Sequence, residues 1–152
     1  MSAVLGVDPG VSGGIAVLRG DGAVFFIQGV NGEMTEKELA MMVGSAVDIL
    51  QRAGGDTAFV EKVGFIKGDG GKGSFTFGGV YKFVLGCLHT RRVNVVNVYP
   101  QAWQAKLGCL TGGNKNVSKA MAQELFPEIK MTHRIADALL IAEYGRRVTL
   151  LR

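Results

Sequence analysis

One carboxylate in an apolar run constrains this chain more than any other feature. Residues 4–7 predict a buried strand, and Asp8 follows directly, ahead of a Pro9-Gly10 turn. Carboxylates are depleted within strands and are rarely buried without a partner, so Asp8 requires an explanation. A bound metal ion is one explanation, and an Asp that caps the turn is the other. This segment alone leaves both open.

Length and composition restrict the class of protein. At 152 residues the chain is expected to form a single domain, residues 1–152. It has no apolar run of membrane-spanning length and no signal-peptide pattern, so we expect a cytoplasmic protein. Cys87 and Cys109 have neither metal-ligand nor disulfide spacing, which predicts reduced thiols. The net charge of +4 favours a polyanionic partner, although a mildly basic soluble enzyme fits it equally well.

The hydrophobic pattern predicts an α/β fold, because three closely spaced strands are followed by alternating helices and strands. We predict strands over residues 3–7, 14–19, 23–27, 57–60 and 93–99. We predict helices between Thr35 and Gly54, over 74–91, 100–107 and 117–126, and from Thr132 through Tyr144. Residues 64–73 and 108–116 are rich in glycine and are predicted to be loops. The expected architecture is a mixed five-stranded sheet, three antiparallel strands and then parallel strands, with helices on both faces.

Carboxylates end two of these strands and interrupt one apolar helix. If the first and fourth strands are parallel neighbours, Asp8 and Glu61 meet at one edge of the sheet, where ligands bind in open α/β sheets. Asp137 lies in an otherwise apolar helix, and His133 precedes it by one turn on the same face. These groups would suit Mg²⁺ or Mn²⁺, and two such ions about 4 Å apart can cleave a phosphodiester.

Each of these residues also has an ordinary explanation. Asp137 could pair with Arg134 on the helix surface, and His133 could be a solvated residue of the first turn. Glu61, beside Lys62, could be a solvated strand end. Convergence of the carboxylates in space is assumed at this point.

Four segments carry a family resemblance, in this order along nearly the whole chain. They are Gly6-Val7-Asp8-Pro9-Gly10, Phe59-Val60-Glu61-Lys62-Val63, Tyr99-Pro100-Gln101-Ala102-Trp103 and Ala136-Asp137-Ala138-Leu139-Leu140-Ile141-Ala142-Glu143-Tyr144-Gly145. The chain resembles the RuvC-type Holliday junction resolvases, most of all their bacteriophage branch. The resemblance implies a ribonuclease H-like fold, a Mg²⁺-dependent endonuclease acting on branched DNA, and a homodimer; in a phage-encoded protein it would act in the bacterial host cytoplasm.

By this resemblance, Asp8, Glu61 and Asp137 match catalytic metal ligands of the family. The family usually has an acid or a His three residues before the last Asp, where this chain has Arg134. We therefore assign His133, one position away, as the fourth catalytic and metal-binding residue.

The resemblance also implies DNA contacts around the two glycine-rich segments. Lysines there would contact phosphates, and aromatic side chains would stack on an unpaired base at the branch point. Each Phe could equally be a core residue, Lys106 could be a solvated surface residue, and Trp103 is interpreted as core. The predicted DNA-binding residues are Lys67, Lys72, Phe75, Phe77, Lys82, Lys106, Lys115 and Lys119.

The sequence thus predicts a metal-dependent endonuclease that cuts Holliday junctions, and as a further substrate class other branched DNA, leaving 5′-phosphate and 3′-hydroxyl ends. A non-catalytic branched-DNA-binding protein of the same fold is the alternative, which the Arg134 departure motivates. A sugar-kinase-like or actin-like ATPase also begins with Asp-x-Gly on a strand, but it needs a second related domain for which this chain has no room.

Overall fold

The structure is a computed structural model that describes residues 2–62, 64 and 70–151. Within these residues the chain forms five strands and five helices. In chain order they are β1 (Ala3–Asp8), β2 (Gly14–Arg19), β3 (Val24–Gly29), α1 (Glu36–Arg52), β4 (Thr57–Glu61), α2 (Gly70–Thr90), β5 (Asn94–Val98), α3 (Pro100–Leu107), α4 (Lys115–Leu125) and α5 (His133–Leu150).

The strands form one sheet in the order β3-β2-β1-β4-β5. β1 pairs antiparallel with β2, and β2 pairs antiparallel with β3. β4 is parallel to both β1 and β5, because helical crossovers precede β4 and β5. This confirms the predicted mixed five-stranded sheet.

Two apolar cores cover the two faces of this sheet, as predicted. Alternate side chains of β1, including Leu5 and Val7, pack against α1 and α2 on one face. Val4 on β1 and Phe59 on β4 face the opposite way, into the core formed with α3, α4 and α5. Because both faces are covered, the central strands are apolar along nearly their whole length.

Helix α5 approaches the sheet very closely because glycines leave room for it. A Cβ on Gly6 of β1 would lie 2.4 Å from the Ala142 nitrogen and 2.6 Å from the Ala138 oxygen. A Cβ on Gly145 of α5 would lie 2.3 Å from the Phe59 ring. Such distances are impossible for any larger residue, so these glycines set the spacing between α5 and the strands.

Several helix boundaries differ from the sequence prediction. α2 begins at Gly70, inside the segment predicted to be a loop, because glycines weaken a helix without preventing it. α4 begins at Lys115, two residues early, with Asn114 as its side-chain cap. α5 continues to Leu150.

The two predicted N-caps have different outcomes. Thr35 caps α1 as predicted, since its Oγ1 accepts from the Glu38 amide at 3.1 Å. Thr132 occupies the cap position of α5, but its side chain makes no capping hydrogen bond.

Cys87 and Cys109 are both free thiols, as predicted. None of the helices in the described part of the chain combines the length and apolarity needed to span a bilayer.

Candidate metal-binding and nucleic-acid site

The carboxyl ends of β1 and β4 place Asp8 and Glu61 at the same edge of the sheet. The two strands are parallel neighbours, with Val7 opposite Val60. Asp137, on the second turn of α5, faces the same edge, because Gly6 allows the next residue, Ala138, to lie against β1. All three carboxylates interact electrostatically: Asp137 raises the pKa of both Asp8 and Glu61, and Asp8 raises that of Glu61.

Asp8 is half-buried, and its Oδ1 accepts a long hydrogen bond of 3.4 Å from the Gly10 amide. Burial, followed by repulsion from Asp137, raises its pKa from 3.8 to about 6. Asp8 therefore caps its turn weakly, and its charge interacts with that of Asp137; metal binding by Asp8 stays a prediction.

Glu61 is not a solvated strand end, because its residue is only 8% exposed. Its Oε2 accepts a hydrogen bond of 2.7 Å from the indole Nε1 of Trp103. Burial and the charge on Asp8 nevertheless raise its pKa to about 8. A carboxyl group so placed is poorly compensated when it is ionised.

Asp137 does not form the helix-surface ion pair that the sequence left open. No salt bridge joins it to Arg134 in the described residues; the Arg134 guanidinium instead donates to the Val30 carbonyl. Burial raises the pKa of Asp137, while Ser118, Lys115 and His133 act in the opposite direction. The Ser118 hydroxyl lies within hydrogen-bonding reach of both Asp137 and the Lys115 carbonyl, the latter at 3.2 Å.

His133 is the exposed first residue of α5. Positive charge on its ring lowers the pKa of Asp137, but His133 is not among the charges that act on Asp8 or Glu61. The structure places His133 one helical turn before Asp137 on α5, and its role as a fourth ligand stays a prediction.

The donor chemistry of this edge fits a hard divalent cation. Asp137 raises the pKa of Asp8, and both aspartates raise that of Glu61; Mg²⁺ or Mn²⁺ would stabilise the ionised forms of these groups. Across residues 2–62, 64 and 70–151, no three His, Cys, Asp or Glu side chains are placed closely enough to hold one ion jointly.

Lys115 interacts electrostatically with all three carboxylates. Its positive charge lowers the pKa of Asp8, Glu61 and Asp137. The sequence predicted a phosphate contact for Lys115 because it lies near a helix start; the structure makes it the first residue of α4 and adds its closeness to the acidic edge. That closeness has no local sequence signal, since it depends on how α4 packs against α5.

The other predicted DNA-binding residues separate into exposed and packed groups. Phe75 is 82% exposed on α2, whereas Phe77 packs against the core and stacks on Tyr81 at 6.5 Å. Lys119 is half-buried on α4. Lys67 lies outside the described residues. Four of the lysines predicted to bind DNA are exposed: Lys72, Lys82, Lys106 and Lys115.

Trp103 is a core residue, as interpreted, with no exposed surface. Its hydrogen bond to Glu61 is a contact that sequence reasoning missed. A signal was available, because the Trp follows a strand that neighbours the strand carrying Glu61.

Comparison with known proteins supports the fold. No protein-family model matches the sequence, and no curated protein matches it significantly. The structure is similar to T. thermophilus RuvC in complex with Holliday junction substrate, with a TM-score of 0.69 and 19% identity over 99% of this chain and 96% of that chain. A second Thermus thermophilus RuvC structure has a TM-score of 0.66 and 21% identity, over 97% of this chain and 96% of that chain. The yeast mitochondrial Holliday junction resolvase Ydc2 has a TM-score of 0.54 and 11% identity, over 96% of this chain and 79% of that chain.

The chain therefore has the ribonuclease H-like fold of the RuvC type, over almost its full length. At these identities the likeness establishes the fold, while the chemistry has to be argued from the site itself.

Proposed function

We propose that this protein is a divalent-metal-dependent endonuclease that cuts four-way DNA junctions. The observation that supports the proposal is that Asp8 and Glu61 end two parallel neighbouring strands of a RuvC-type sheet, and that the charge of Asp137 acts on both. The neighbours are resolvases, and one of them is in complex with a Holliday junction. The bacteriophage branch is part of the proposal and rests on the sequence motifs alone.

The chain's own residues divide the work. Asp8, Glu61 and Asp137 would hold the metal, with His133 as the candidate fourth ligand beside Asp137. Bound Mg²⁺ or Mn²⁺ would supply an activated water for in-line attack on phosphorus and charge stabilisation at the departing 3′ oxygen, so that the ends are 5′-phosphate and 3′-hydroxyl. The Lys115 ammonium would contact the phosphate being cut.

Binding of the branched DNA would extend beyond this edge. Exposed Phe75 is available to stack on an unpaired base, and Lys72 and Lys82 on the same helix would contact the backbone without reading sequence. A homodimer would present two such sites to one junction and make two nicks. Other branched DNA is a further proposed substrate class.

The test is nicking of a labelled four-way junction by purified protein in Mg²⁺ or Mn²⁺. Asp8→Ala and Asp137→Ala should each lower the rate about a thousandfold or more, equivalent to roughly 4 kcal/mol in the barrier. Both variants should retain junction binding in a gel-shift assay. Glu128→Ala, which removes an exposed carboxylate elsewhere, is the matched control and should cut normally. Full cleavage by either Asp variant would overturn the site assignment.

A non-catalytic junction-binding protein is the second candidate. Two observations favour it: Arg134 occupies the position of a family ligand, and no three ligand-type side chains in the described residues are preassembled around one ion. Tight junction binding with no product at any Mg²⁺ or Mn²⁺ concentration would support this candidate and reject the nuclease.

A further inference from the structure

Trp103 and Glu61 are brought together by the geometry of two adjacent strands. β4 and β5 are parallel, with Glu61 opposite Val98, and the Lys62 amide donates to the Val98 carbonyl at 2.9 Å. α3 begins at Pro100, immediately after β5. One turn of helix is then enough to bring Trp103 back against the end of β4.

The contact is a buried hydrogen bond, which becomes charge-assisted when Glu61 is ionised, as a metal ligand must be. Trp103 has no exposed surface, and its Nε1 donates to Glu61 Oε2 at 2.7 Å. An indole nitrogen can only donate, so this geometry satisfies its single hydrogen-bonding requirement. Hydrogen bonds to an ionised acceptor are shorter and roughly twice as strong as neutral ones.

The bond leaves one carboxylate oxygen uncommitted. Among the hydrogen bonds of the described residues, Glu61 accepts only the one from Trp103. Oε1 is therefore free of hydrogen bonds within the described residues, at the end of the strand that lies beside the one carrying Asp8. A side chain with one oxygen fixed and the other available is suited to present that oxygen in a single orientation.

We propose that Trp103 is a positioning residue: its indole N–H fixes Oε2 of Glu61, so that Oε1 is presented to a divalent cation shared with the neighbouring aspartates. This inference rests on the proposed nuclease function and adds to it a residue outside the ligand set. Trp103 acts through Glu61 and touches neither cation nor DNA.

The first experiment compares Mn²⁺ affinity, measured by calorimetry on the full chain, with junction nicking. Trp103→Phe keeps an aromatic ring in the core and removes the N–H donor. It should weaken Mn²⁺ binding by about 10-fold or more, the effect typical of losing a group that orients a ligand. Leu107→Ala, which loosens packing on the same helix, is the control and should keep wild-type Mn²⁺ affinity. Equal Mn²⁺ affinity in Trp103→Phe and wild type would overturn the inference.

A second measurement needs no substitution at Trp103. Trp103 is the single tryptophan of the sequence, so the protein shows one indole N–H signal in a ¹H–¹⁵N correlation spectrum. That signal should shift saturably with Mg²⁺, with the same midpoint as a calorimetric titration of Mg²⁺ into the same protein, and Glu61→Gln should abolish the shift. An indole signal that stays in place while Mg²⁺ saturates the wild-type protein would overturn the inference even if Trp103→Phe does not fold.

The nuclease function and the positioning role of Trp103 can be rejected by different results. If wild-type protein neither binds Mn²⁺ nor nicks a junction, the nuclease proposal and this inference fall together. If wild type does both and Trp103→Phe behaves identically, only the positioning role is rejected.

Discussion

Helices α5 and α2 use glycine in opposite ways. Where α5 crosses the sheet, Gly6 and Gly145 permit backbone and ring contacts that no side chain would tolerate. On α2, by contrast, a Cβ at Gly78, Gly79 or Gly86 would meet nothing within 4 Å. Gly6 and Gly145 thus set the spacing between α5 and the strands. The glycines of α2 each weaken that helix by about 1 kcal/mol and gain no packing inside the chain.

This difference in packing fits the different roles that α5 and α2 would have in the proposed function. α5 carries Asp137, whose distance from Asp8 decides whether one cation can be shared, so this region has to be packed closely. α2 carries the exposed Phe75 and exposed lysines, which would meet a partner of variable shape. Under the proposed function, the close-packed helix would carry a metal ligand and the more weakly formed helix would contact DNA.

The largest expected effect on stability comes from a substitution that blocks the close approach of α5 to β1. Gly6→Ala should lower the free energy of unfolding by about 3 kcal/mol, because the added methyl group meets the backbone of α5 and the core has to shift. Urea denaturation of wild type and variant measures this. A loss below about 0.5 kcal/mol would show that the two elements are not in rigid contact.

A smaller loss of stability should follow from removing the buried charge of Glu143 on the same helix. The Glu143 side chain is 6% exposed and accepts from Arg146 at 2.7 and 2.8 Å and from Arg147 at 2.7 Å. Glu143→Gln should cost about 2 kcal/mol at neutral pH, below the usual penalty for a buried pair because both arginines are partly exposed.

This contribution should depend on pH with a defined sign. Burial opposes ionisation of Glu143, but the hydrogen bonds from Arg146 and Arg147 outweigh it and hold its pKa below the ordinary 4.5. The stabilisation is therefore complete above pH 4.5 and is lost as the pH falls through the lower, folded-state pKa. Denaturation curves of wild type and Glu143→Gln should converge in that acidic range; a constant difference down to pH 2 would contradict the assignment.

On α2 the expected effect is on binding and not on stability. Phe75→Ala should weaken junction binding about tenfold, the contribution of one stacked base, and leave the unfolding free energy within about 0.5 kcal/mol. Met41→Ala, which removes an exposed apolar side chain on α1, is the control and should bind normally. If Phe75→Ala binds as tightly as wild type, α2 does not provide the stacking surface.

The smallest expected effect has the opposite sign. Gly86→Ala should raise the unfolding free energy by about 0.7 kcal/mol, because the helix gains propensity and the methyl group meets no neighbour. Thermal denaturation beside Gly6→Ala tests the contrast directly. A destabilised Gly86→Ala protein would mean that the α2 glycines do have a packing role.

The sequence predicted the sheet well because its signals are local or periodic. The apolar runs and the Thr35 cap each specify their own element, and element order then constrains the topology. The same reasoning placed Asp8 and Glu61 at one edge. It missed the start of α2 at Gly70, where glycine content argued for a loop although the chain remains helical.

The contacts within the site were less accessible. The Trp103–Glu61 bond joins residues 42 positions apart, and Lys115 is 22 or more positions from each of the three carboxylates, through elements whose packing no local pattern specifies. His133 was chosen because it neighbours the expected ligand position, and the structure places it beside Asp137 alone among the three carboxylates. Helical spacing fixes which residues share a face but not how far their side chains reach across to another element.

The account's central claim is that Asp8, Glu61 and Asp137 form one site for a divalent cation. Calorimetric titration of Mn²⁺ into wild type, Asp8→Asn, Glu61→Gln and Asp137→Asn measures this most directly. The account predicts saturable binding by the wild type that each single substitution weakens at least about tenfold. Binding that survives unchanged in any one of the three variants, or that is absent from the wild type, would contradict it.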